Sequence, residues 1–120
     1  MDRTFLLVGA LAGFIAVAFG EFGAHALRGR LSPEMLAVFE TGVRYQMYHS
    51  FAVLIVAIAT ARFDGWLVRA AGWSFTIGIV LFSGSLYALA LSGVTVLGAI
   101  TPIGGLAFLA GWACFIIASL

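Results

Sequence analysis

The 120 residues contain no lysine, one cysteine and two prolines, and only 9% of them are charged. Each shortage excludes something. A single cysteine, Cys114, rules out an internal disulfide and a four-cysteine metal knuckle. It lies in an apolar run, where a buried, inert thiol is the expectation. The six arginines are scattered rather than clustered, so no basic stripe tracks a phosphate backbone, and no nucleic-acid partner is expected. There is no Ser-His-Asp order, no glycine-rich phosphate loop, no CxxC and no H-x-x-H or H-E-x-x-H spacing. The sequence therefore offers neither a catalytic residue nor a cofactor site, and a non-enzyme is expected. His and Glu are adequate metal ligands in kind, but without ligand spacing no metal is assigned.

What is present is apolar surface. Hydrophobic residues make up 63% of the chain, with a mean hydropathy of +1.15. Soluble domains run at about 45–50% apolar and about 25% charged. A soluble domain this apolar lacks the polar surface to stay in water. One domain is the ceiling at this length, so the expectation is a single integral membrane domain over residues 1–120.

Four runs reach the roughly 20 residues that a helix needs to cross the hydrocarbon core: residues 4–27, 42–62, 68–92 and 101–120. The rival reading of the first run is a signal peptide, with Arg3 as its basic flank and Ala24-His25-Ala26 as an A-x-A site. The length of the run and the position of Glu21 argue against it. Ser32-Pro33-Glu34 reads as a helix start, with Ser at the N-cap, Pro at the first helical position and an acid in the first turn. Arg62-Phe63-Asp64-Gly65 is a turn signal. Past Ser92-Gly93, residues 94–120 are either one helix kinked at Pro102 or an apolar connection to a helix that opens at Thr101-Pro102. The shorter helix is preferred. The fold class expected is all-α: an integral membrane four-helix bundle with antiparallel, up-down spans. By the positive-inside rule, Arg3, Arg62 and Arg69 against Arg28 and Arg30, or against three with Arg44, give only a weak lean towards both termini being cytoplasmic.

Small residues mark helix-packing positions. Gly9 and Gly13 form a GxxxG that Ala16, Gly20 and Ala24 continue. Gly78, Gly84 and Ala88 follow in the third run, and Gly104, Gly105 and Gly111 in the fourth. Such stripes serve either close packing inside one bundle or a homodimer seam. Packing is the preferred reading, and a homo-oligomer or a larger membrane complex stays open.

Up-down spans sort the polar residues into one half of the bilayer. Glu21 and His25 end the first span. Glu40, Arg44, Tyr45, Gln46, Tyr48 and His49 begin the second. Ser83, Ser85, Tyr87 and Ser92 close the third, and Thr101 and Pro102 open the fourth. The other half is built from Leu, Val, Ile, Phe and Ala, with small hydroxyls such as Ser74 and Thr76. Glu21 and His25 share the i,i+4 spacing of one helix face, as do Glu40 and Arg44, Tyr45 and His49, and Ser83 and Tyr87. Ionisable groups at depth should face the bundle and pair, so the expected network is Glu21 with Arg44, flanked by His25 and His49. Three readings of it compete. It is a structural clamp that sets helix register, a one-sided site for lipid or another ligand, or part of a proton or ion path. A conductor needs polar lining on both sides, and the other half supplies none.

Four motifs carry a resemblance over nearly the whole chain. They are Phe22-Gly23-Ala24-His25-Ala26-Leu27, Tyr45-Gln46-Met47-Tyr48-His49, Leu81-Phe82-Ser83-Gly84-Ser85-Leu86-Tyr87, and Thr101-Pro102-Ile103-Gly104-Gly105 followed by Leu109-Ala110-Gly111-Trp112. With them the chain resembles domain-of-unknown-function family 423, the YgdD-like small inner-membrane proteins, of which transmembrane protein 256 is a relative. The resemblance implies a multi-pass, four-helix protein of the bacterial inner (plasma) membrane and no particular reaction. It departs at Glu21, where a small apolar residue is expected. The functional expectation is a non-enzymatic scaffold or accessory protein that binds membrane lipid or a membrane partner. The alternative is a small transporter or ion or proton conductor.

Overall fold

A computed structural model describes residues 1–63 and 65–120; Asp64, within the expected turn, lies outside the described residues. The described chain is all-helical. Helix α1 runs Arg3–Leu27, α2 Pro33–Ala59, α3 Trp66–Ser92 and α4 Thr101–Ser119, with a 3₁₀ turn at Thr95–Ala99 before α4. Local chemistry explains the starts. The Asp2 carboxylate caps α1 by accepting from the Thr4 and Phe5 N–H groups. The Ser32 hydroxyl caps α2 through the Met35 N–H at 3.1 Å, with Pro33 behind it. Gly93, at φ 74°, ends α3 in the left-handed conformation that suits glycine.

Three stretches are long and apolar enough to cross a membrane: Arg3–Leu27, Trp66–Ser92 and Thr95–Ser119. Four spans were expected, and α2 is not among these three. Its length is ample at 27 residues. Its apolar character falls short because it carries Glu40, Arg44, Gln46 and His49.

The interhelical contacts pair ascending numbers on one helix with descending numbers on the next. From α1 to α2, Gly9 meets Leu54, Gly20 meets Val43 and Gly23 meets Phe39. From α2 to α3, Gly42 meets Tyr87, and His49 lies against Phe75. From α3 to α4, Gly111 meets Phe75, Gly78 meets Phe108 and Gly104 meets Phe82. The core lies at the Phe5 end of α1, where Phe5, Val53, Val56, Val68 and Phe75 are all at most 2% exposed.

Two interruptions have no counterpart in the sequence reading. Phe19–Gly23 in α1 and Ile79–Ser83 in α3 are π-helical turns. Each accommodates one extra residue, so the residues beyond it are rotated relative to a continuous α-helix. This splits the expected glycine stripe of α3. Gly78 lies against Phe108, whereas Gly84, past the π turn, has nothing within 4 Å.

Asp2 closes the apolar end. Its N–H donates to Thr60 Oγ1 at 2.9 Å and to the Ala57 carbonyl at 3.2 Å, both at the end of α2. Its carboxylate receives the Arg69 guanidinium of α3 at 2.6 Å. One residue at the start of α1 thus joins three helices. Burial pushes this carboxyl up, but the Phe5 N–H, Arg69 and the Thr4 N–H outweigh that and hold it below its ordinary value of 3.8. A lowered folded-state value means that the stabilisation is complete above the unfolded value and is lost as pH falls through the folded one.

Two predictions follow from the packing and the latch. At Gly104 an added Cβ runs into the backbone of Phe82, whereas at Gly105 it meets nothing within 4 Å. Gly104→Ala should lower the melting temperature in detergent, and Gly105→Ala should leave it unchanged or raise it slightly, because alanine is the better helix former by about 1 kcal/mol. Asp2→Asn should melt earlier than wild type at neutral pH. The gap should close as pH drops below 3.8; a gap that persists at lower pH contradicts the latch.

Candidate functional site

The buried polar residues meet around α2. Gln46, 4% exposed, holds the centre. Its Nε2 donates to the Ala12 carbonyl of α1 at 2.8 Å, and its Oε1 accepts from the Tyr87 hydroxyl of α3 at 2.6 Å. One carboxamide therefore bridges three helices. Tyr87 also packs on Phe19 of α1 and Phe39 of α2, with both ring centroids 5.1 Å away. The Ser83 hydroxyl, fully buried, donates to the Gly42 carbonyl at 2.6 Å and ties α3 to α2.

The hydroxyls of Ser85 and Thr101 lie 2.6 Å apart and link α3 to α4. Thr101 occupies the first position of α4 and does not cap it with its side chain; Ile100 is the capping residue. The Thr101 hydroxyl is taken up by Ser85 instead. Pro102, also in the first turn, is exposed.

His49 is buried, and both ring nitrogens are engaged. Nδ1 lies 2.8 Å from the Tyr45 carbonyl, and Nε2 lies 3.2 Å from the indole nitrogen of Trp112. A carbonyl only accepts and an indole N–H only donates. The ring is therefore the neutral tautomer protonated at Nδ1, with Nε2 accepting from Trp112. Phe108 stacks on the imidazole with centroids 3.5 Å apart and planes 6° from parallel. Tyr45 stands beside this pair, its ring 4.7 Å from Phe82, and is partly exposed. Phe108 and Trp112 stand one helical turn apart on α4, the i,i+4 spacing that marks one face.

The expected Glu21–Arg44 network does not form. The ion pair among the described residues is Asp2–Arg69. Arg44 is exposed and donates to Thr41 Oγ1 on its own helix at 3.1 Å. Glu21 is exposed, within the π turn of α1, and His25 is exposed beyond it. The i,i+4 rule that put Glu21 and His25 on one face assumes a continuous α-helix. His25 and His49 do not meet, and among the described residues no three His, Cys, Asp or Glu side chains assemble.

The small residues sort by what faces them. An added Cβ at Gly9 would lie 2.8 Å from Leu54, at Gly20 3.2 Å from Val43, and at Gly111 2.6 Å from Phe75. Gly13 has ordinary contact with Ser50, and Gly84 and Gly105 face open space. Gly84 lines an apolar groove of about 320 Å³ between α1 and α3, with Gln46 and Tyr87 among its walls.

Sequence reasoning missed Asp2, Thr60 and Arg69 as a latch, and the part of Trp112 and Phe108 in holding His49. An acid directly before an apolar run is a cap signal, but nothing in the sequence points Arg69 at it.

The Gln46 bridge gives an ordering. Tyr87→Phe removes one interhelical hydrogen bond and should cost about 0.6–1.7 kcal/mol. Gln46→Ala removes two and leaves a cavity, and should cost more, about 2–4 kcal/mol. Unfolding by denaturing detergent measures both; equal losses contradict the bridge.

Comparison with known proteins places the chain. The family described as "Protein of unknown function (DUF423)" matches residues 19–105. A UPF0382 membrane protein of Staphylococcus haemolyticus is 46% identical over 117 residues, covering 98% of this chain and 95% of the relative. The UPF0382 membrane protein YwdK of Bacillus subtilis is 43% identical over 118 residues, covering 98% and 96%. A UPF0382 membrane protein of Haemophilus influenzae is 48% identical over 112 residues, covering 93% and 90%. No solved structure matches the chain. With three apolar helices able to cross a membrane and relatives named as membrane proteins along nearly its whole length, it is a multi-pass membrane protein and belongs to the DUF423 family, whose function is unknown.

Proposed function

We propose that the chain is an antiparallel four-span bundle, with α2 as the fourth span, acting without catalysis as a scaffold or accessory protein. In this reading the polar half is an internal clamp, and the outer surface receives membrane lipid or a membrane partner. One observation carries it. The buried polar side chains Gln46, His49, Ser50, Ser83 and Ser85 all hydrogen-bond to other groups of the chain. A polar helix such as α2 enters hydrocarbon at an acceptable cost when its polar groups are satisfied by neighbouring helices. The opposing contact sense between α1 and α2, α2 and α3, and α3 and α4 supports the up-down arrangement.

Conduction has less support. A proton or ion path needs a wettable route along its whole length. The level of Phe5, Val53, Val56 and Phe75 is filled by side chains at most 1% exposed. His49, a buried titratable group, is held at both nitrogens.

A double-mutant cycle on His49 and Trp112 tests the clamp. His49→Phe and Trp112→Phe should each lower the melting temperature in detergent. Their coupling should be about 0.6–1.7 kcal/mol, because the second change finds the bond already broken. Stability unchanged in both variants, together with a cellular phenotype, would overturn the clamp in favour of a ligand site.

A further inference from the structure

Gly20 and Val43 are one of the points at which α1 and α2 touch; an added Cβ on Gly20 would lie 3.2 Å from Val43. Each of these residues is followed by a charged one. One position on, an α-helix has turned about 100°, and the π turn that holds Gly20 and Glu21 somewhat less. Because the two helices run in opposite senses, these turns carry Glu21 and Arg44 to the same side of the contact. There they line one groove of about 280 Å³ with Val17, Met47 and Tyr48. Both charges are exposed. They are not within ion-pair distance of each other, and neither is engaged by a charged group elsewhere among the described residues.

Depth makes this arrangement informative. Glu21 lies six residues before Leu27, about 9 Å from the end of α1, near the boundary of a hydrocarbon core about 30 Å thick. An ionised group there reaches up to the headgroup layer and needs a counter-charge. A carboxylate and a guanidinium on opposite lips of one apolar groove complement a molecule that carries an ammonium, a phosphate and hydrocarbon chains. The guanidinium matches a phosphate with paired N–H donors. The carboxylate accepts from an ammonium that carries N–H groups. Apolar side chains in the groove offer contact to the chains below.

We infer that the Glu21–Arg44 groove binds the headgroup of a zwitterionic phospholipid with a primary ammonium, the phosphate on Arg44 and the ammonium on Glu21. The site names a ligand class for the lipid-binding face and rests on the reading of the chain as a membrane-spanning lipid or partner binder. It is separate from the Gln46–His49 clamp, because neither charged residue touches another helix through a hydrogen bond. The variants Glu21→Gln and Arg44→Gln should therefore melt like wild type.

Native mass spectrometry of the full chain tests it, with equimolar phosphatidylethanolamine, phosphatidylcholine and phosphatidylglycerol of identical acyl chains. Wild type should retain phosphatidylethanolamine over each of the others by about threefold, the scale of one exposed ion pair. Glu21→Gln should bring phosphatidylethanolamine down to the level of phosphatidylcholine, and Arg44→Gln should lower the retention of all three. Wild-type preference surviving in Glu21→Gln overturns the site, as does retention of all three lipids alike by wild type; in both cases the chain remains a lipid binder. If wild type retains no phospholipid, the site and the lipid-binding reading fall together, while the clamp is judged separately by its melting behaviour.

Discussion

A carboxamide buried among helices in a membrane has no water to turn to, and the arrangement of this protein follows from how Gln46 meets that constraint. It stands on the central helix and spends one group on α1 and another on α3. Leaving a buried polar group without a partner costs about 1–3 kcal/mol, so the separation of the helices and their register must keep both bonds. Tyr87, drawn to Gln46, then sets the packing of Phe19 and Phe39 around it. The groove between α1 and α3 is space that this bridge leaves open, with Gln46 and Tyr87 among its walls.

The two ends of the molecule are held by different physics. At the polar end, hydroxyl, amide and imidazole groups bond between helices, and aromatic rings cover them. Trp112 and Phe108 fasten α4 to His49 in the same way that Tyr87 fastens α3 to Gln46. At the other end, Phe5, Phe75 and a layer of valines and alanines pack without polar help, and Asp2 closes the rim with a cap and an ion pair. Hydrocarbon supplies no hydrophobic drive between helices, so close packing through small residues is what holds that end together.

Much of this was legible residue by residue. Apolar run length marked α1, α3 and α4, and Ser32-Pro33-Glu34 marked the start of α2. The contacts of Gln46 with Tyr87 and of Ser85 with Thr101 follow from where those residues fall along successive helices. The pairing among the charged residues was not legible. Comparable depth brings Glu21 and Arg44 to one level but does not fix which way each points, and the π turn at Phe19–Gly23 alters the i,i+4 spacing of Glu21 and His25. The π turn at Ile79–Ser83 does the same to the Gly78–Gly84 stripe.

Composition and run length are one-dimensional properties, and they determined that this chain is a helical membrane protein. A bilayer imposes that outcome on any chain so apolar, because its backbone must satisfy itself and its few polar groups must be placed near one another or near water. Partner choice is a three-dimensional property. That Gln46 binds Ala12 and Tyr87, that His49 binds Trp112, and that Glu21 and Arg44 face outward across a groove was decided only by the tertiary structure. The deciding quantities are the rotation of each helix about its axis and the approach of its neighbours, which two π turns and a few close glycine contacts fix and which no spacing rule along the chain contains.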